Sequence, residues 1–321
     1  VIVVAGEALI DLVPSPQDPS LDGQLPALLP RRGGGPYNTA VALGRLGSPA
    51  AFCSRISTDT FGESLLHGLR SAGVDTALVQ RGTEPTTLAV ADISPDGSAG
   101  YGFYVDGTAD RLFTLPPALP EAVRALSLGT CSLVLEPGAS AYESLLRREA
   151  RRGVFTALDP NIRPGLILDP DAYRARFRSW LPDLALLKLS EEDALWLAGP
   201  GGAAGGDWDA ATAAAGEWLG AGPAAIVITR GGDGLTVLTP GGGELTVPGE
   251  QVTVVDTIGA GDTVNAALLH RLDAHDALSY AAVASLGTDD WHDILRFAAR
   301  AAAVTCSRAG AEPPFVTELA A

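Results

Sequence analysis

With 321 residues, 46% apolar and 19% charged, the chain can bury one large core, as an α/β domain with at most a small appendage. Thirty-eight acidic residues against 22 basic ones give a formal charge of −16, which excludes nucleic acid and anionic membranes as partners because both require a positive field. No apolar run approaches the roughly 20 residues of a membrane span, the first residues already read as a strand, and a cytoplasmic location is expected.

From there on, apolar runs alternate with helical patterns, as in a parallel sheet covered on both faces. The spacing predicts strands at 1–4, 50–54, 132–135, 154–158, 184–187 and 225–229, and helices at 38–46, 62–72, 139–152, 172–180, 191–197 and 210–219. Past residue 230, short runs at 235–238, 244–247 and 252–255 predict an antiparallel extension, and three helices then finish the chain. Segments 9–29 and 86–105 break the rhythm. The second reads as a hairpin turning at Pro95-Asp96-Gly97, and with the first it would form a small sheet whose Tyr101, Phe103 and Tyr104 need a cover. A glycine-rich stretch at 199–206 reads as a flexible loop.

Cys53, Cys131 and Cys306 are odd in number and far apart, so neither a disulfide framework nor a Cys-x-x-Cys site is expected. His67, His270, His275 and His292 show no metal-binding spacing.

The run at 252–255 leads into Asp256-Thr257-Ile258-Gly259-Ala260-Gly261-Asp262, where two glycines leave the backbone N–H groups unobstructed and Asp262 opens an apolar helix. A carboxylate at that spot repels a phosphate, but it suits a base that takes a proton from an attacking hydroxyl. Taken alone, the turn reads equally as a loop whose Asp caps a helix. A dinucleotide fingerprint fails at Val264, where its third glycine belongs. There is no P-loop, and the chain's single lysine, Lys188, follows a strand rather than a glycine loop. Near the start, Asp11 and Asn38 stand beside glycine-exposed backbone (Gly33, Gly34), which suits a polyhydroxylated ligand; singly, they read as a turn residue and a cap.

In combination, Gly33-Gly34-x-Pro36-x-Asn38, Asp159-Pro160-Asn161-x-Arg163, Thr229-Arg230-Gly231-Gly232-x-Gly234 and Asp256-Thr257-x-Gly259-Ala260-Gly261-Asp262 resemble the ribokinase-like (PfkB) carbohydrate kinases in order and spacing, over the whole chain. The resemblance implies a single α/β domain over 1–321, a doubly wound, mainly parallel sheet flanked by helices, with a small β-sheet lid from about 9–32 and 86–108. It implies ATP as phosphoryl donor, Asp262 as general base, and an anion hole from the N–H groups of Gly259, Ala260, Gly261 and Asp262. Arg163 would meet substrate or the transferring phosphoryl group. Asp11, Gly33, Gly34, Asn38, Tyr101, Phe103 and Glu136 would face the sugar, and Lys188, Thr229, Gly231, Gly234 and Gly261 the nucleotide. The family's magnesium-associated Asn-x-x-Glu stands here as Ser190-Glu191-Glu192-Asp193, so Glu192 or Asp193 would hold Mg²⁺ through water. Asp256 and Thr257 match a loop that in many members binds a monovalent cation such as K⁺. A homodimer through the lid is implied. Within the family the chain is most similar to fructokinases: ribokinases usually carry Lys-Gly where Gly35-Pro36 stand here. The other readings are a 2-keto-3-deoxygluconate kinase using Arg31, Arg32 or Arg163 for the substrate carboxylate, a nucleoside kinase, or a catalytically silent sugar sensor.

Overall fold

Strands that a sheet buries on both faces read as unbroken apolar runs, and such runs build the larger of two sheets here. The computed structural model describes residues 1–15, 26–93, 99–199 and 208–319. In chain order the first half comprises β1 (Ile2–Ala5), β2 (Leu9–Pro14), β3 (Leu28–Gly33), α1 (Gly35–Arg45), β4 (Ala50–Ser57), α2 (Thr60–Ser71), β5 (Val79–Gly82), β6 (Leu88–Ile93), β7 (Ala99–Tyr104), β8 (Ala125–Gly129) and α3 (Gly138–Arg151). There follow β9 (Phe155–Asp159), α4 (Pro170–Trp180), β10 (Leu186–Ser190), α5 (Glu191–Ala198), α6 (Trp208–Leu219) and β11 (Ala225–Thr229). The chain ends with β12 (Leu235–Thr239), β13 (Gly243–Val247), α7 (Ala260–Ala274), α8 (Tyr280–Ala284) and α9 (Thr288–Cys306).

The larger sheet has the order β13-β12-β11-β10-β9-β8-β1-β4-β5. All its pairs are parallel except β11–β12 and β12–β13. The chain winds outward from β1 to β5 and then returns to β8 on the other side of β1, so the carboxyl ends of β1 and β8 form a switch point, where such sheets hold ligands. Both faces are covered. Leu43, Phe52, Leu268, Leu269 and Ile294 pack on one, and Tyr142, Leu145, Phe177, Trp180 and Trp218 on the other. Each such side chain contributes about 1.5–3 kcal/mol on burial.

The smaller sheet, β3-β2-β6-β7, is inserted after β1 and again after β5, so both insertions leave from the carboxyl edge of the parallel strands. Two acids fasten its roots, Asp110 buried and Asp59 half-buried. Asp59 accepts from the Thr86 N–H at 2.9 Å and hydroxyl at 2.7 Å, and Asp110 accepts from Thr87 Oγ1 at 2.5 Å and Thr108 Oγ1 at 3.1 Å.

Several expectations need correction. The strand placed at 132–135 is β8 at Ala125–Gly129; Thr130–Leu133 is a 3₁₀ turn, because Thr130 takes a left-handed φ of 58° that ends the strand. The run at 252–255 is not a strand. Val255 N and Asp256 N both donate to the Cys306 carbonyl at the end of α9, and Val254 and Val255 are each 60% exposed. β5, missed in the sequence, pairs with β4. Asp262 is the third residue of α7 and not its first. Lys188 lies within β10 and does not follow it. The turn at Pro95-Asp96-Gly97 and nearly all of the glycine-rich loop lie outside the described residues. No described helix is long and apolar enough to cross a membrane.

Candidate active site

Two cavities open at the carboxyl edge of the larger sheet. The first, about 500 Å³, is lined by Glu7, Asp11, Asn38, Arg163 and Asp262, with Phe103 of β7 reaching in from the smaller sheet. The second, about 760 Å³, has a polar wall of Lys188, Glu191, Glu192, Thr229, Gly231 and Gly234 and an apolar one that includes Val252, Val254, Ala299 and Cys306. Val252 and Val254 of the failed strand are thus cavity wall. The cavities share Asn161, Thr257 and Gly261.

Gly259 caps α7 in the left-handed region at φ 77°, where an added Cβ would stand 2.6 Å from the Ala311 Cβ; this is why the turn needs glycine. The first intrahelical bond runs from Thr263 N to Gly259 O at 2.9 Å. Ala260 N donates to Thr257 O at 3.2 Å. The N–H groups that helix geometry leaves open are therefore those of Gly259, Gly261 and Asp262. Ala260 drops out of the expected anion hole.

The Asp262 carboxyl is buried, and its Oδ2 accepts from Asn38 Nδ2 at 2.9 Å. Burial pushes its pKa up to about 7, and the charge of Asp159 adds to this, while the Asn38 amide, Lys188 and Arg163 pull the other way. Lys188 Nζ donates to Asp159 Oδ2 at 2.8 Å, with both side chains buried. Burial would lower the Lys188 pKa, but the carboxylates of Asp159, Asp262 and Asp193 hold it raised. Lys188 thus balances a ring of acids.

Asp11 is pushed up to about 6 by burial, against the pull of Arg163. Gly33 does not line either cavity; it makes room for Asp11, whose Oδ2 an added Cβ would strike at 2.0 Å. Gly34 lines the first cavity. Arg163 Nη1 is held by Asn161 Oδ1 at 2.8 Å and by the Ile162 carbonyl at 3.0 Å.

Not every expected residue comes to the site. Glu136 is away from both cavities: its carboxylate accepts from the Ser140 N–H and hydroxyl, each at 3.1 Å, and from Arg176 at 3.0 Å, which commits it to the start of α3. The Tyr101 side chain is outside the described residues. Asp193 lines the second cavity, but its oxygens accept from Ile162 N at 2.8 Å and Ser190 N at 3.2 Å, closing a capping box on α5, so it is a structural cap. Glu192 beside it is exposed, and Glu191 reaches Arg230 at 3.4 Å. Asp256 accepts from Ile258 N at 3.0 Å and Gly310 N at 2.8 Å, tying the turn to the segment after α9. Among the described residues no group of three or more His, Cys, Asp or Glu is arranged to hold a metal.

Sequence reading passed over other lining residues. Glu7, buried and pushed up to about 7 by burial, accepts from the Thr130 hydroxyl and from Ser132 N at 3.0 Å. Thr130 and Asn161 hold positive φ of 58° and 39°, strain of the kind that gathers at functional sites. Gly35 is wedged in so tightly that an added Cβ would be 2.5 Å from Thr130 Cγ2 and 3.1 Å from Asp262 Oδ1. Only the glycine run and the quoted Asp-Pro-Asn pointed to any of them.

The pfkB family carbohydrate kinase model matches residues 1–318. A fructokinase of Rhizobium leguminosarum bv. trifolii is 41% identical over 287 residues, 89% of this chain and 83% of that protein. The crystal structure of fructokinase with bound ATP from Xylella fastidiosa superposes with a TM-score of 0.86 at 27% identity, covering 99% of this chain and 97% of that one. Fructokinase from Vibrio cholerae O395, in a form binding fructose, ADP and calcium ion, gives 0.78 at 25% identity, covering 97% and 94%.

Proposed function

The chain belongs to the pfkB family of carbohydrate kinases and phosphorylates a sugar at the expense of ATP, and we propose that this sugar is a neutral ketose of the fructose kind, deprotonated by Asp262. The observation that carries the reading is the junction of the two cavities. Asn161, Thr257 and Gly261 line both, with Asp262 on the sugar side and Lys188 on the nucleotide side. Asp262 takes the proton of a hydroxymethyl group as its oxygen attacks the γ-phosphorus in line, and the open N–H groups of Gly259, Gly261 and Asp262 receive the charge of the transferring group.

The wall chemistry supports a neutral substrate. Four carboxyl groups, Glu7, Asp11, Asp256 and Asp262, line the sugar cavity, and the guanidinium among them, Arg163, is already held by Asn161 and Ile162. Arg31 and Arg32 are on the exposed part of β3, away from the cavity. This disfavours the carboxylate of 2-keto-3-deoxygluconate.

For Mg²⁺, the exposed Glu192 and its neighbour Glu191 on the nucleotide wall are the donors whose chemistry fits, through water. Bound there, the ion would neutralise polyphosphate charge. K⁺ at Asp256 and Thr257 would rely on backbone carbonyls, since both Asp256 carboxylate oxygens are engaged. The smaller sheet acts as a lid on one ribokinase-like domain, and its outer face, where Tyr104 is 65% exposed, joins two copies.

A coupled ADP-release assay across fructose, 2-keto-3-deoxygluconate, ribose and adenosine, with and without K⁺, tests the substrate; fructose is expected to give the highest kcat/KM. Sugar binding without turnover on any of them would instead favour a sensor. Asp262→Asn should keep sugar binding and lose about 10²-fold or more in turnover; near-normal turnover refutes the base.

A further inference from the structure

Behind the base lies a second, much smaller space. A void of about 10 Å³ is lined by Asp262 and Asn265 of α7, Thr39 of α1, Ser127 and Gly129 of β8, Asp159 of β9 and Thr130. Thr130 and Asp262 also line the sugar cavity, so the void sits directly behind the reacting centre.

Its walls carry two buried acceptors that meet no protein donor, Asp159 Oδ1 and Asn265 Oδ1. Each side chain has its other polar atom engaged: Asp159 Oδ2 accepts from Lys188 at 2.8 Å, and Asn265 Nδ2 donates to Ser127 Oγ at 3.1 Å. Ser127, having accepted there, keeps a hydroxyl proton to give. Buried acceptors without donors are costly and rare. One water needs roughly 10–15 Å³ of such space and two to four polar partners. The void offers both.

We propose that this void is a water site and that Asn265 is a positioning residue, holding behind Asp262 a water that donates to Asp159 Oδ1 and Asn265 Oδ1 and accepts the Ser127 hydroxyl proton. Asn265 stands three residues after Asp262 on α7, hence on the same helix face. The inference rests on Asp262 being the base. The charged groups that face Asp262 are Asp159, Lys188 and Arg163, and Asp193 acts on the first two. Of these, Asp159 opposes ionisation of the base, and a water donating to it takes up part of its charge. Burial raises the Asp159 pKa and the ion pair to Lys188 opposes that rise; with charge on Asp159, losing the water makes Asp262 harder to ionise.

A crystal structure of the wild-type protein should contain an ordered water within hydrogen-bond reach of Asp159 Oδ1 and Asn265 Oδ1; side chains collapsed into the space overturn the proposal. Asn265→Leu keeps the shape and removes both polar atoms. It should lower kcat about tenfold near neutral pH, move the acid limb of the kcat profile upward, and leave KM for sugar and ATP within about twofold. Ser127→Ala, which removes the third partner, should act in the same direction by a smaller factor, so the proposal stays testable if the first variant folds poorly. Unchanged kcat and pH profile in folded variants, or a kcat loss with the water retained, overturn it. Full activity in Asp262→Asn would refute the base while leaving the water visible, so the two failures are distinguishable.

Discussion

The amide that Asn38 gives to Asp262 at 2.9 Å keeps the proposed base ionisable in a site where burial has pushed its pKa up to about 7. Asn38→Leu removes the donor and keeps the shape. A hydrogen bond to a charged group is worth about 1.5–3 kcal/mol, and a pKa unit about 1.4 kcal/mol, so the acid limb of kcat should rise by about one to two units, to about pH 8–9. With a midpoint of about 8.5, the ionised fraction at pH 7.5 drops from about three quarters to about one tenth, and turnover drops about eightfold. Turnover should recover at pH 9.5. The assay is coupled ADP release at saturating fructose and ATP between pH 5.5 and 9.5, which removes any loss of sugar affinity from the comparison. A wild-type limb below pH 5.5, or a uniform loss at every pH with the limb unmoved, refutes the reasoning.

Gly35→Ala places a methyl 2.5 Å from Thr130 Cγ2 and 3.1 Å from Asp262 Oδ1; overpacking of this kind costs about 1–3 kcal/mol, and kcat/KM for sugar should fall about tenfold or more while KM for ATP holds. Glu7 and Asp262, raised to about 7 from 4.5 and 3.8, bind protons in the folded state that the unfolded chain has released. The stability this confers is complete below the unfolded values and is lost as pH rises through about 7. The unliganded protein should therefore melt at a higher temperature at pH 6 than at pH 8, and calorimetry on Asp262→Asn should show a smaller difference. Asp193→Ala opens the cap on α5 and frees Ile162 N, so Tm should fall while the dependence of rate on Mg²⁺ stays put; a shifted Mg²⁺ dependence at unchanged Tm would make Asp193 a metal partner after all.

The sequence by itself determined the class of fold and pointed to the carboxylate that we propose as base. Strands such as β11 at Ala225–Thr229 coincide with their predicted span because a strand buried on both faces is a contiguous apolar run, a local property. The Gly259-to-Asp262 turn was legible for a similar reason: left-handed backbone and open N–H groups demand particular residues within a few positions. What only the tertiary structure decided are properties of neighbours distant in sequence. Val252 and Val254 looked like a strand because β-branched residues suit one, but they pair with no described strand of the sheet and line a cavity instead. Glu136 looked like a sugar ligand until Arg176 and the start of α3 claimed it, and Asp193 like a metal ligand until Ile162 N did. Glu7, an ordinary acid in the sequence, becomes a buried group titrating near 7 only once β1 and β8 meet, because desolvation is set by what folds over a side chain and not by what flanks it in the chain.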